Sequence, residues 1–305
     1  MRFVTFSAAN GPDRLGVQLD ETVLDLAALA VGLGTYLPTD LLSLIRAGSP
    51  ALHLAQDLVR DAGRDSNGRW PEGVAHELAS VTLRAPLRPG KIVGIGLNYV
   101  EHVEESSRTL DTAKELPDRP VLFGKPATAV TGPGAPILRN GDLTQQLDWE
   151  CELAVVIGRT AFKVSEQDAL DHVFGYSIMN DVSARDQRRS GQWFFSKGQD
   201  SYAPFGPAVV TADDLPDPQN LDLSLRVNGD TKQKSNTRYM LFAIPRLIAD
   251  ISSGMTLEPG DVISTGSPSG VGAGMIPPQF LQPGDLVEAT VEGIGTLANP
   301  VVDAR

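Results

Sequence analysis

The segment Leu147-Asp148-Trp149-Glu150-Cys151-Glu152-Leu153-Ala154-Val155-Val156-Ile157-Gly158 sets the hardest condition on any fold of this chain. Its apolar, partly β-branched run reads as a strand, and strand side chains alternate between faces. Trp149, Cys151, Leu153 and Val155 then share one face, and Glu150 and Glu152 share the other. Carboxylates at i and i+2 stand roughly 7 Å apart and repel unless a cation lies between them. On a solvent-facing edge the pair costs nothing. The apolar continuation to Ile157 argues instead for a central strand, and so for a metal.

A third carboxylate follows. Phe174–Met179 reads as a strand, and Asn180-Asp181-Val182-Ser183-Ala184-Arg185-Asp186 as the start of a helix. Asp181 suits an N-cap there. With Glu150 and Glu152 it also makes an all-oxygen set, which favours Mg²⁺, Mn²⁺ or Ca²⁺ over zinc. The single cysteine, Cys151, excludes an intramolecular disulfide and a Cys-rich zinc site. Its position on the apolar face makes it a packing residue rather than a nucleophile.

The chain carries 30 glycines and 22 prolines in 305 residues, which favours a turn-rich fold over a helical bundle. Residues 1–85 read as a small α+β domain, with strands at Phe3–Ser7, Arg14–Leu19 and Thr22–Asp25 and helices near Leu41–Ala47 and Ala51–Ala62. A composition break at Arg84-Ala85-Pro86-Leu87-Arg88-Pro89-Gly90 opens a second domain, 86–305, where strand signals dominate. Helices are expected there only at Glu166–His172, Val182–Arg189 and Leu241–Ser252. Pro259-Gly260-Asp261 and Pro283-Gly284-Asp285 read as turns that launch strands. The fold class is α+β, mostly β.

A formal net charge of −12 disfavours a broad nucleic-acid surface. No apolar run approaches the ~20 residues of a membrane span, and no signal-peptide pattern is visible, so a cytoplasmic protein is expected. Gly94-Ile95-Gly96 fails as a dinucleotide fingerprint because Tyr99 occupies the third glycine position.

Several stretches, in order, resemble the fumarylacetoacetate hydrolase family. They are Val93-Gly94-Ile95-Gly96-Leu97-Asn98-Tyr99 with His102; Leu122-Phe123-Gly124-Lys125-Pro126; Leu147 to Leu153; Asn180 to Asp186; Lys197 with Asp200; Phe205-Gly206-Pro207; and Thr265-Gly266-Ser267-Pro268-Ser269-Gly270-Val271-Gly272. The resemblance spans Lys91 to Val302. It implies a mixed β-sandwich roll, a homodimer, and a divalent metal, Mg²⁺ or else Mn²⁺ or Ca²⁺, on Glu150, Glu152 and Asp181. It also implies a His102–Glu105 dyad and a small 2-oxo or diketo acid substrate.

The activity implied first is hydrolysis of a C–C bond in a β-diketo acid or acylpyruvate. The alternatives are decarboxylation of oxaloacetate, and isomerisation of the 2-hydroxyhepta-2,4-diene-1,7-dioate type. A metal-stabilised binding protein is the non-enzymatic alternative. Two positions depart from the family: Arg188 stands where many relatives have Gln, and Ser267 where Thr is common.

The residues themselves carry chemistry consistent with this. An unperturbed imidazole has a pKa near neutrality, which suits His102 to a general base, and on a helical turn Glu105, three residues on, would share its face. Lys125 and Lys197 suit stabilisation of a developing enolate, or balance of the carboxylates. Arg185, one helical turn beyond Asp181, suits a substrate carboxylate or a pairing with Asp181 or Asp186. Arg188 and Ser267 complete the candidate substrate contacts, Ser267 on a glycine-rich loop able to receive an oxyanion. The charged segment from Glu101 to Arg119 suits either a solvated loop or a lid.

Overall fold

The computed structural model describes residues 1–9, 11–62, 70–101, 116–188 and 191–304. The strand Cys151–Ile157 lies at its centre, and all of its residues are buried. It pairs antiparallel with Val173–Asn180 on one side and with Val262–Ser264 on the other. The segment is therefore a central strand, and the solvent-facing reading of the two glutamates falls.

Beyond Val262–Ser264 lie Ile92–Gly96, in parallel, and then Val121–Lys125. On the opposite flank the order runs through Ala203–Thr211 to Arg2–Ala8, Arg14–Leu19, Thr22–Asp25 and Ala75–Glu77. Together these elements form a twelve-stranded sheet among the described residues. A five-stranded sheet, containing Asp222–Val227, Asp230–Asn236, Leu286–Val291, Gly295–Asp303 and Ile137–Arg139, packs across it. This is the mostly β, α+β architecture that the sequence implies.

Alternation along the central strand sorts its side chains into two cores. Trp149, Cys151, Leu153, Val155 and Ile157 enter the core shared with the five-stranded sheet. Ala154 and Val156 enter the other, with Leu29, Leu44, Ile45 and Leu58 from the N-terminal helices. The N-terminal strands continue the large sheet, with Arg2 opposite Val210 and Phe3 opposite Val209. Three helices, Leu26–Gly32, Leu41–Ala47 and Ser49–Asp61, cover that end. Asp25 and Asp40 cap the first two through the N–H groups of Ala28 and Ser43, each at 2.9 Å.

Both Pro-Gly-Asp turns launch strands as expected, with φ of +91° at Gly260 and +97° at Gly284. The helical expectations hold less well. Glu166–His172 contracts to a 3₁₀ turn, Ala169–His172. The helix expected from Leu241 begins at Ile244, with Pro245 in its first turn, where the missing N–H does no harm. Of the helix expected over Val182–Arg189, the described residues 182–188 form no α-helix: Ser183–Ala184 pairs with Leu147–Asp148, and a 3₁₀ turn, Arg185–Gln187, follows. An N-cap aspartate must fold its carboxylate back onto its own helix, whereas Asp181 gives its carboxylate to two buried lysines. None of the helices among the described residues is long and apolar enough to cross a membrane.

Candidate active site

The register that places Cys151 opposite Asn180 brings the start of one strand to the end of the next. Glu150 and Glu152 flank that pair, and Asp181 follows it. One carboxylate oxygen from each of the three lies within 4.8 Å of the others, and all three residues are buried. Local bonds fix the crossing. Asn180 Oδ1 accepts the Glu150 N–H at 3.0 Å, and Glu150 O accepts the Asp181 N–H at 2.8 Å.

Three buried cations surround this cluster. Lys197 Nζ donates to Glu150 Oε2 at 2.9 Å, Asp181 Oδ2 at 2.5 Å and Ser183 Oγ at 2.8 Å. Lys125 Nζ donates to Asp181 Oδ1 and to the Val182 carbonyl. The pairing of Arg185 with Asp181 or Asp186 that a helical spacing suggested is not made. Instead Arg185 Nε donates to Asp148 Oδ2 at 2.8 Å and its Nη2 to Glu150 Oε1 at 2.6 Å.

The electrostatics differ between the lysines. Burial works against the Lys197 ammonium, but Asp181 and Glu150 outweigh it and hold the pKa above its ordinary value. For Lys125 burial wins over the attraction of Asp181, Lys197 adds repulsion, and the pKa falls.

Glu152 provides the test of a metal. Its Oε2 accepts the Ser264 hydroxyl and, at 3.0 Å, the Gly266 N–H. Its Oε1 is buried and has no hydrogen-bond partner among the described residues. Burial first, then Asp181 and Glu150, raise its pKa well above its ordinary value. A buried acceptor left without a donor, facing two more carboxylates, is completed by a cation. The donors are hard oxygens, which fit Mg²⁺, Mn²⁺ or Ca²⁺.

An aromatic wall closes one side. Trp193 and Lys197 share a face of the short helix Trp193–Lys197, and the Trp193 and Phe123 rings lie 5.2 Å apart. The Lys197 ammonium sits 4.9 Å from the Phe123 ring, and the Arg188 guanidinium 4.8 Å from the Trp193 ring. Arg188 Nε is buried without a hydrogen-bond partner among the described residues. Gly94 and Gly96 make room for this wall: a Cβ on either would lie 2.2 Å from the Phe123 ring or 2.4 Å from that of Trp193. The Gly-x-Gly pair that failed as a nucleotide fingerprint thus has a packing reason.

The glycine-rich loop is tied down rather than loose. Asp148 accepts the Gly272 and Ala273 N–H groups at 2.6 and 3.0 Å, and Trp149 Nε1 donates to Gly270 O at 3.0 Å. Asn98 Nδ2 holds the Thr265 carbonyl at 2.7 Å. Ser267 is buried within this loop.

Of the residues expected from sequence, the structure brings together Glu150, Glu152, Asp181, Lys125, Lys197 and Arg185, with Arg188 on the aromatic wall. His102 and Glu105 lie outside the described residues. Asp148, Trp193 and Asn98 were not singled out, although each falls in or beside a quoted stretch. A carboxylate two residues before a buried glutamate was the available signal for Asp148. Cys151 is buried in the core, and burial raises its pKa, in keeping with packing.

Fold and site together define an enzyme class with a divalent-cation centre built into the wall of a mixed β roll. The family description "Fumarylacetoacetate (FAA) hydrolase C-terminal" matches residues 91–302, and the chain belongs to the fumarylacetoacetate hydrolase family. It is 40% identical over 289 residues to oxaloacetate tautomerase YisK of Bacillus subtilis, covering 92% of this chain and 93% of the relative. It is also 40% identical over 311 residues to the mitochondrial oxaloacetate tautomerase fahd2 of Xenopus laevis, covering 99% and 90%. Among solved structures, maleylpyruvate hydrolase from Sphingobium sp. SYK-6, in complex with manganese(II) and pyruvate, superposes with a TM-score of 0.78 at 31% identity. That match covers 100% of each chain.

Proposed function

We propose that this protein interconverts the enol and keto forms of a 2-oxo dicarboxylate of the oxaloacetate type. The observation that carries the reading is the buried triad, with Glu152 Oε1 open and Lys125 and Lys197 beside it. Such a site stabilises negative charge on a small chelating oxyanion. Two relatives that cover more than nine-tenths of the chain are named as oxaloacetate tautomerases, and this favours proton transfer over C–C cleavage.

Glu150, Glu152 and Asp181 would hold the cation. When bound, it supplies Lewis-acid polarisation of a 2-oxo oxygen. In the keto-to-enol direction a proton leaves C3, the electron pair moves to the 2-oxo oxygen, and a proton is delivered there. Lys197 has three N–H donors, and Glu150, Asp181 and Ser183 take all three. It therefore acts on the developing charge as a fixed positive field rather than by donating a new bond. Arg188, stacked on Trp193 and with its Nε unpartnered among the described residues, would receive the second carboxylate. The His102–Glu105 pair would carry the C3 proton.

Hydrolysis of an acylpyruvate is the second reading, favoured by the maleylpyruvate hydrolase likeness and sharing the same enolate. One experiment separates them. Decay of the enol absorbance of oxaloacetate is followed with Mg²⁺ or Mn²⁺, beside pyruvate release from oxaloacetate and from several acylpyruvates. Enol decay is expected to be accelerated most. Acylpyruvate cleavage with no acceleration of enol decay would move the assignment to a hydrolase.

A further inference from the structure

Gln233 sits in the strand Asp230–Asn236 of the five-stranded sheet and is 1% exposed. Its carboxamide reaches across to the centre of the site. Gln233 Oε1 accepts the Cys151 N–H at 2.9 Å, between the two glutamates. Gln233 Nε2 donates to Ser267 Oγ at 2.7 Å and to the Pro268 carbonyl at 2.8 Å. The loop lies hard against this strand, since a Cβ on Gly270 would fall 2.1 Å from the Lys232 carbonyl oxygen.

The two backbone partners fix which end of the amide is which. A backbone N–H can only donate, so it selects Oε1; a carbonyl can only accept, so it selects Nε2. The bond to Ser267 then has one possible polarity: the serine oxygen accepts. The serine's own proton is left with the Pro268 carbonyl at 3.3 Å, a long bond within the loop. We propose that Gln233 is a positioning residue that holds the Ser267 hydroxyl as a donor toward an oxyanion bound at the Glu150–Glu152–Asp181 centre. Gln233 also ties that donor to the first residue of the strand that carries Glu152. The inference rests on the reading of the site as one for 2-oxo acids.

The test is a double-mutant cycle on oxalate binding to the Mn²⁺-loaded protein, measured by calorimetry, with Mn²⁺ affinity measured separately. Ser267→Ala should weaken oxalate roughly tenfold, the loss of one hydrogen bond to a charged group. Gln233→Glu keeps the acceptor for the Cys151 N–H but makes the other end an acceptor, so the serine proton turns away. It should cost about as much as Ser267→Ala, and adding Ser267→Ala to it should cost less than about twofold more. Simple repulsion by the new carboxylate would instead give two independent losses that multiply, and that result overturns the proposal. Should Gln233→Glu not fold, Gln233→Met decides. A freed hydroxyl makes Ser267→Ala cost less than in the wild type, and an equal cost overturns the proposal. A wild-type protein that binds Mn²⁺ but not oxalate would overturn the reading of the site, and this inference with it. Wild-type oxalate binding with multiplying losses would overturn this inference alone.

Discussion

Asp148 holds Arg185 through an Nε–Oδ2 bond of 2.8 Å, and both side chains are almost fully buried. The same carboxylate accepts the N–H groups of Trp149, Gly272 and Ala273. One side chain therefore joins the backbone just before Glu150, the glycine-rich loop and the arginine that touches Glu150.

Asp148→Ala should destabilise the protein by about 3–5 kcal/mol, because it leaves a buried guanidinium and two loop N–H groups without their acceptor. Chemical denaturation measures this. A loss below about 1 kcal/mol would mean that the loop and Arg185 find other partners.

Glu152→Gln should abolish the rise in melting temperature that Mn²⁺ or Mg²⁺ gives the wild type. In the metal-free protein, burial, Asp181 and Glu150 raise the Glu152 pKa above 4.5. The folded state then holds more protons than the unfolded state above that pH, and metal-free stability falls as pH rises through the window up to the folded pKa. A cation must displace this proton, so affinity should rise with pH across the same window. Calorimetry in buffers of different ionisation enthalpy should report proton release on binding. Affinity independent of pH there would refute the assignment.

Gly96→Ala would place a methyl group 2.4 Å from the Trp193 ring and push that wall out of place. A cost of about 1–3 kcal/mol is expected from overpacking. Binding of a dicarboxylate should weaken more than that of pyruvate, because Arg188 rests on Trp193. Equal losses for both ligands would separate the wall from carboxylate selection.

His102→Ala should slow enol–keto interconversion by roughly 10²–10⁴, the usual contribution of a general acid or base. Cation affinity should be unchanged, since the triad does not include it. Rates within threefold of wild type would assign the proton transfer to another group.

Alternation and composition were enough to place Glu150 and Glu152 on one face of an apolar strand, to send Cys151 into the core and to mark both Pro-Gly-Asp turns. These depend on local geometry, which repeats every two residues or is confined to a turn. The stretches resembling the family pointed to Asp181, Lys125, Lys197 and Arg185, but not to what each one touches. Asp181 shows the limit, since its local chemistry suits a helix cap. Only the crossing of Cys151–Ile157 with Val173–Asn180 puts it beside two glutamates, and only then do buried lysines take its carboxylate from the backbone. The pairing of Arg185 with Asp181 or Asp186 fails for the same reason, because a turn stands in place of the helix and Arg185 reaches Asp148 and Glu150 instead. Gln233 lies more than 80 positions from Cys151, in a different sheet. No local pattern encodes such a contact; it exists because two sheets pack face to face and leave one buried N–H that needs an acceptor.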